Sequence, residues 1–544
     1  MLTFERARGS NAWLVFNSTA TVVVLLVFLC TLFVPRWETN DDVAMSMVAH
    51  GYGISAVGSP DLMFSNVIWG YFIRSIPPVN GVLGYSIATL LVLFISGSSI
   101  LYSIQRLGVG RLTSIIAVCL IFLRPIIFPQ FTLNAGLLTI SAILCLLTYA
   151  KTADLGSLVA AGILAFLGFI IRSQEFILVV IVASPMLLSN GLQADKRLRT
   201  CFFLLLTAII FASLWDHFCY TGVEWKKFND FNLARAPFTD FGAAEQILKH
   251  KNILDHYSYS DNDISLIRNF FFADPKIANP AALKSMLADL GPGQFFVGDL
   301  KLGVTSVEAL LLPEIFPIVL LGISLFLLKP NFRVALSWAI FLTALFAMGL
   351  CGRGGILRVD TPVATLLCLA SVAQIDRTAK AVHKKQFWRA IDQQSTALCA
   401  ICACLILNCS VIFPQAIQSE RDIRTEQAGI VGFPEDVVVV WGDGLKFESI
   451  FPLLANNLRA RSIELYSLGV STYAPFSVAS YEEVRGRGFV TRIRSADGLL
   501  LIAGTTNMEQ LRIWCSERFA GKLEDKVVRA APLTRIDRVW CVNQ

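Results

Sequence analysis

Three acids and an amide crowd one short stretch of the chain: Glu38, Asn40, Asp41 and Asp42, with His50 eight to twelve residues further on. Carboxylates placed this way can take a proton from a hydroxyl or bind hydroxyl groups. A second set is cationic. Arg172 precedes Ser173-Gln174-Glu175, and Arg353 and Arg358 precede Asp360; the planar guanidinium fork binds oxyanions in a bidentate way. A third set, Asp261 and Asp263 around Asn262, offers oxygen ligands for a divalent cation but lacks the full spaced loop of a calcium site. Each set also has a bland reading. Thr39 or Asn40 would cap a helix whose first turn the acids complement, and single arginines snorkel at membrane rims.

Composition decides what must position these groups. Of 544 residues, 55% are hydrophobic and only 16% charged, against about 25% charged in ordinary soluble proteins. Mean hydropathy is +0.61. The chain is therefore a polytopic membrane protein. Net charge of +6 is modest and its basic residues lie between apolar runs, which leaves nucleic-acid binding without support. Cys399, Cys402, Cys404 and Cys409 share one apolar run with no His or acid nearby, so they read as small hydrophobes and no metal site is assigned. Cys515 and Cys541 lie in polar sequence and can pair in an oxidising compartment.

Apolar runs near 13–35, 79–105, 112–128, 132–150, 155–171, 175–190, 200–220, 306–328, 333–351, 355–375 and 395–415 predict about eleven spans. With the N-terminus cytoplasmic, the inner loops collect Arg6, Arg8, Arg106, Arg111, Lys151, Lys329, Arg377 and Lys380. The outer short loops receive Arg36, Arg74, Arg172, Arg353 and Arg358, an asymmetry that orients the chain. The expected fold is mainly α: residues 1–419 form the membrane domain, with outer loops at about 36–78 and 221–305. Residues 420–544 form a small extracytoplasmic α/β domain, read from the apolar runs Val437–Trp441, Ile463–Leu468, Leu499–Ala503 and Arg538–Cys541 and the helical pattern Met508–Phe519. Gly442-Asp443-Gly444 reads as a plain strand-to-helix turn. In the first outer loop, Val43, Met47 and His50 repeat at helical spacing, and Pro60–Phe72 is aromatic and too short to span. Two helices lying along the interface follow.

An acidic pair opening the first of two such helices, in this span order, resembles the GT-C superfamily of polytopic membrane glycosyltransferases that use polyprenyl-phosphate-linked sugars. The resemblance is strongest to a poorly characterised bacterial branch with an Asn-Asp-Asp loop, seen here as Asn40-Asp41-Asp42, a long middle loop and an Arg-Val-x-x-Pro segment, Arg358 to Pro362. It implies a multi-pass enzyme of the bacterial inner membrane serving cell-envelope polysaccharide synthesis. A sugar would pass from a polyprenyl-phosphate donor to a glycan, lipid or protein acceptor, with inversion and no required cofactor. Asp41 would be the base and Asp42 or Glu38 would bind acceptor or metal; Asn40, His50, Glu175, Asp261 and Asp263 would assist binding, and Arg172, Arg353 and above all Arg358 would face the phosphate. The middle-loop aromatics Trp225, Phe228, Phe231, Phe238, Tyr257 and Tyr259 would offer faces to a sugar or form a local core. Competing readings are a polymerase or ligase of undecaprenyl-diphosphate-linked glycans, which lacks the acidic first loop, and a transporter or flippase, for which broken helices or repeats are expected.

Overall fold

The computed structural model describes residues 2–187, 195–291, 299–374, 384–430, 432–456, 460–530 and 535–543; Arg377 and Lys380 lie outside the described residues. Each expected apolar run is helical over most of its described residues, in a mainly α membrane bundle carrying a small C-terminal sheet. The first eight helices are α1 (Leu2–Leu32), α2 (Asn40–His50), α3 (Val67–Ser75), α4 (Gly84–Arg106), α5 (Arg111–Ile127), α6 (Phe131–Thr152), α7 (Leu155–Ile171) and α8 (Ser173–Leu187). As expected, α2 and α3 lie between the first two long spans, although α3 starts at Val67 rather than near Pro60.

Length separates the runs. Six described helices are long and apolar enough to cross a bilayer, and a seventh crossing arises if Leu300–Leu311 and Phe316–Leu328, bent by 86°, count as one. The bend falls where Pro313 and Pro317 deny the helix its N–H donors. The remaining apolar helices, among them α5, α7 and Leu357–Ala373, have at most 17 residues, about 26 Å at the α-helical rise. Arg172 interrupts what would otherwise be a continuous α7–α8 helix by adopting extended backbone, φ −156°.

Residues of α1, α4, α5, α6 and the helices Phe316–Leu328, Leu357–Ala373 and Lys384–Ile430 form one apolar core. A second core joins α2, α3, α6 and α7 to the tail. The tail sheet runs β2-β1-β3-β5-β4, with β1 (Val438–Trp441), β2 (Leu465–Leu468), β3 (Leu499–Ala503), β4 (Gly521–Ala530) and β5 (Arg535–Asn543). β1 is parallel to β2 and β3, whereas β5 is antiparallel to β3 and β4. β1 is buried throughout, as its unbroken Val-Val-Val-Trp run requires of a central strand. Gly442–Gly444 is the short turn expected, with Gly442 at φ +69°. Cys515 and Cys541 are disulfide-bonded.

The tail does not stand apart. The helix Lys384–Ile430 runs unbroken through position 419. Leu465 N–H donates to Gly53 O (2.9 Å), Val478 N–H to Ile54 O (3.0 Å) and Leu453 N–H to Pro35 O (3.0 Å), so the sheet clamps the first outer loop. Its other face shares a core with the middle-loop helices. That core takes in Phe231, Phe238 and Tyr259, and Trp225 is buried in the second core, so of the two readings of this loop packing prevails for these four.

Candidate active site

The first outer loop is anchored from both ends. Arg36 N–H donates to Ile127 O (3.0 Å) and Glu38 N–H to Pro129 O (3.1 Å), pairing the segment with the α5–α6 junction. Helix α2 then begins at Asn40, and Gly51 at φ +70° ends it. Thr39 occupies the N-cap position but its side chain caps no backbone N–H. The simple capping account of this polar cluster therefore does not hold for Thr39. Its hydroxyl instead donates to Asp42 Oδ2 at 3.3 Å.

Asp41 and Asp42 have opposite environments. Asp42 is fully buried. Its Oδ1 accepts from the Tyr85 hydroxyl (3.0 Å) and from Phe131 N–H (3.0 Å) at the start of α6. Burial raises its carboxyl well above the ordinary aspartate range, against the two hydrogen bonds, which lower it. Asp41 faces outward, its side chain 37% exposed, and its Oδ2 lies 2.9 Å from Arg358 Nη1, itself 32% exposed. Arg358 is carried by the first turn of Leu357–Ala373. That helix meets α6 closely: a Cβ built on Gly136 would lie 2.3 Å from Pro362 Cβ and 3.2 Å from Glu175 Oε1.

Arg172 lies within electrostatic reach of Asp41, Arg358, Glu175 and Arg353. Its Nη1 donates to Phe64 O at 3.1 Å and its guanidinium stands 5.4 Å from the Phe131 ring centroid. Glu175 and Asp360, each only 2% exposed, sit one turn or less behind these arginines, and one oxygen of each has no hydrogen-bond partner among the described residues. Arg353 is more open and reaches Asp240 at 3.9 Å. Arg172 also lines a cavity of about 500 Å³ bounded by Ser65, Asn66, His217, Asn229 and Arg235. Asp216 lines the same cavity and accepts Val67 N–H at 2.7 Å, holding the start of α3.

Other expected site residues go elsewhere. His50 Nε2 accepts Tyr85 N–H at 3.2 Å, capping α4. Burial and the nearby Arg461 and Arg74 lower its pKa to about 4, so the ring is neutral at pH 7 and is a structural acceptor. Glu38 pairs with Arg124 at 3.2 Å. Asn40 Oδ1 is buried without a partner among the described residues. Asp261 pairs with the exposed Lys251. Asp263 closes a capping box with Ser260, and Asn262 Nδ2 donates to Gln510 O at 3.0 Å. The three side chains of this run thus serve three different partners, because Ser260 starts a helix there. Among the described residues no three His, Cys, Asp or Glu side chains gather as metal ligands.

Sequence reasoning missed Tyr85, Phe131 and Thr39 as the setting of Asp42. The acceptor side was visible and the donors were not: one is a backbone N–H and another lies 43 positions away.

No family model matches the chain, and no curated protein matches it. Among solved structures it is similar to the crystal structure of ArnT from Cupriavidus metallidurans bound to undecaprenyl phosphate, at 12% identity, with 97% of this chain and 98% of that chain covered and a TM-score of 0.39.

Proposed function

We propose that this protein is an inner-membrane glycosyltransferase that moves a sugar from a polyprenyl-phosphate donor to an acceptor on the outer face. The observation that carries the reading is the outward-facing Asp41–Arg358 pair (2.9 Å) beside an Asp42 locked by three donors. A base and an oxyanion-binding cation are held together at the membrane rim. Arg172 lies within electrostatic reach of both members of the pair, and Arg353 within reach of Arg172.

In this mechanism the donor phosphate engages Arg358 and draws it from Asp41. The freed Asp41 carboxylate takes the proton of the acceptor hydroxyl as its oxygen attacks the sugar C1. The C1–O bond to phosphate breaks on the opposite face, which inverts the anomeric centre. Polyprenyl phosphate leaves with its electron pair, and the arginines stabilise the added negative charge. Asp42 positions Asp41 through α2 and touches no substrate. Glu175 and Asp360 support the arginines from behind. The Arg172 cavity, rich in amide and hydroxyl groups, receives the remainder of a substrate.

The positive bias of the loops assigned to the inner side supports a cytoplasmic N-terminus. The Cys515–Cys541 disulfide supports an oxidising, extracytoplasmic side for the tail.

The test is release of polyprenyl phosphate from a panel of polyprenyl-phosphate sugars by the purified protein, with envelope extract as acceptor. Release by the wild type that disappears in Asp41→Asn supports the reading. Consumption of diphosphate-linked glycans alone would transfer the assignment to the polymerase or ligase class.

A further inference from the structure

A second polar cavity, of about 540 Å³, opens between the outer end of α5, the bend at Pro313 and the helix Lys384–Ile430. It shares no lining residue with the Arg172 cavity. Its size is that of a small-molecule site.

The charges in its wall are already committed. Arg124 pairs with Glu38 at 3.2 Å and donates to Gln415 Oε1 at 3.3 Å; Gln415 Nε2 in turn donates to Glu314 Oε1 at 2.8 Å. Arg36 is held by Ser449 Oγ (3.2 Å) and Glu448 (3.7 Å). An incoming phosphate would have to displace Glu38 from Arg124 and compete with Glu448 at Arg36. Apart from Arg36 Nε, which is buried without a partner among the described residues, what remains for a ligand is neutral or accepting. Ser419 lines the cavity, is 4% exposed, and its Oγ has no partner among the described residues. Burying a hydroxyl unpaired is costly, so this is a group in want of a ligand. Asp422 takes a single amide bond from Gln418 (2.9 Å), which leaves its second oxygen for another donor. Phe128 and Pro414 complete the wall with apolar surface.

We infer that this cavity is a saccharide site, in which sugar hydroxyls donate to Glu314 and Asp422 and bond to Ser419 while an apolar ring face lies against Phe128 and Pro414. The inference deepens the glycosyl-transfer reading and rests on it for its biological use, but binding can be measured without turnover. The saccharide comes either from a soluble acceptor glycan or from the sugar of the lipid-linked donor.

The experiment is saturation-transfer NMR on the full-length protein in phosphatidylglycerol–phosphatidylethanolamine nanodiscs. One arm uses methyl glucoside, galactoside, mannoside and N-acetylglucosaminide; a second uses short-chain polyprenyl-phosphate glucose and mannose. Saturable transfer in the first arm identifies the acceptor as source, and transfer confined to the second identifies the donor. In either case Glu314→Gln and Ser419→Leu each weaken binding about tenfold, the loss of a hydrogen bond to a charged or buried group, while Lys251→Ala on the distant loop changes nothing. Glu314→Gln keeps the side-chain shape, so its effect is readable even if Ser419→Leu disturbs folding. Absence of saturable transfer in both arms overturns the inference, as does transfer that both variants leave intact. So does native mass spectrometry in which phosphatidylethanolamine, and no saccharide, is retained by the wild type and lost from both variants. Saccharide binding without any polyprenyl-phosphate release would instead overturn the transfer reading and leave this site standing.

Discussion

Arg358 Nη1 lies 2.9 Å from Asp41 Oδ2 although 317 positions separate the two residues. The pair joins the first turn of α2 to the first turn of Leu357–Ala373, and both side chains remain partly exposed. An exposed ion pair adds little stability, typically about 0–1 kcal/mol. Its two members are therefore free to exchange partners, which suits a resting state that opens when an anion arrives.

The neighbouring aspartates will separate on mutation. Asp41→Asn keeps the melting temperature near that of the wild type and lowers turnover by about 10²–10⁴-fold, the usual contribution of a general base. Asp42→Ala leaves the Tyr85 hydroxyl and Phe131 N–H buried without their acceptor, at a cost of about 2–4 kcal/mol. Thermal unfolding in detergent and single-turnover release, measured on both variants, check the split. Equal loss of stability in the two would refute it.

Arg358→Ala weakens binding of polyprenyl phosphate by about tenfold or more, and Arg358→Lys restores only part of it, since a lysine lacks the bidentate fork. Fluorescent polyprenyl-phosphate titration measures both. The same substitutions leave the fold intact, because the pair they break is solvated.

Gly136→Ala forces Pro362 away from α6, since the new Cβ would sit 2.3 Å from the proline Cβ. We expect a loss of about 1–3 kcal/mol from overpacking. Turnover falls as well, because Arg358 moves with its helix. A melting curve unchanged from the wild type would show that the helix contact is looser than described.

Stability will fall as the medium is acidified through His50. Its folded pKa of about 4 lies below the ordinary 6.5. Between those values the unfolded chain binds the proton that the folded ring refuses, so stability is present above pH 6.5 and is lost as pH drops toward 4. Asp42 acts in the opposite sense. Its raised pKa withdraws stability as pH rises above the ordinary aspartate value of 3.8. Melting temperatures of wild type and His50→Gln from pH 7.5 to pH 4.5 isolate the histidine contribution; the variant's curve should be the flatter on the acid side.

Several features were legible before any coordinates. The apolar runs became helices, α2 lies where its spacing put it while α3 starts seven residues later than expected, and four of the five tail strands coincide with apolar stretches. The fifth, β4, escaped notice because its sequence, Gly-Lys-Leu-Glu-Asp-Lys-Val-Val-Arg-Ala, is charged and mostly exposed. It is an edge strand held by antiparallel pairing with β5, and pairing leaves no local mark on composition. The middle-loop acids misled for a related reason. Asp263 reads as a ligand in isolation, yet Ser260 three residues earlier recruits it to a helix cap.

The amino-acid sequence by itself determined the membrane class, the helices and the chemical types gathered in the first long loop, since apolar runs and local charge act over a few residues at a time. Which aspartate meets solvent was decided only by tertiary structure. Asp41 and Asp42 are adjacent and chemically identical, and their difference comes from Tyr85, Phe131 and Arg358. Those partners reach the site because α4, α6 and Leu357–Ala373 pack there, the last two in contact at Gly136 and Pro362. Full burial of Asp42 and partial exposure of Asp41 then make one carboxyl a structural acceptor and leave the other open to solvent.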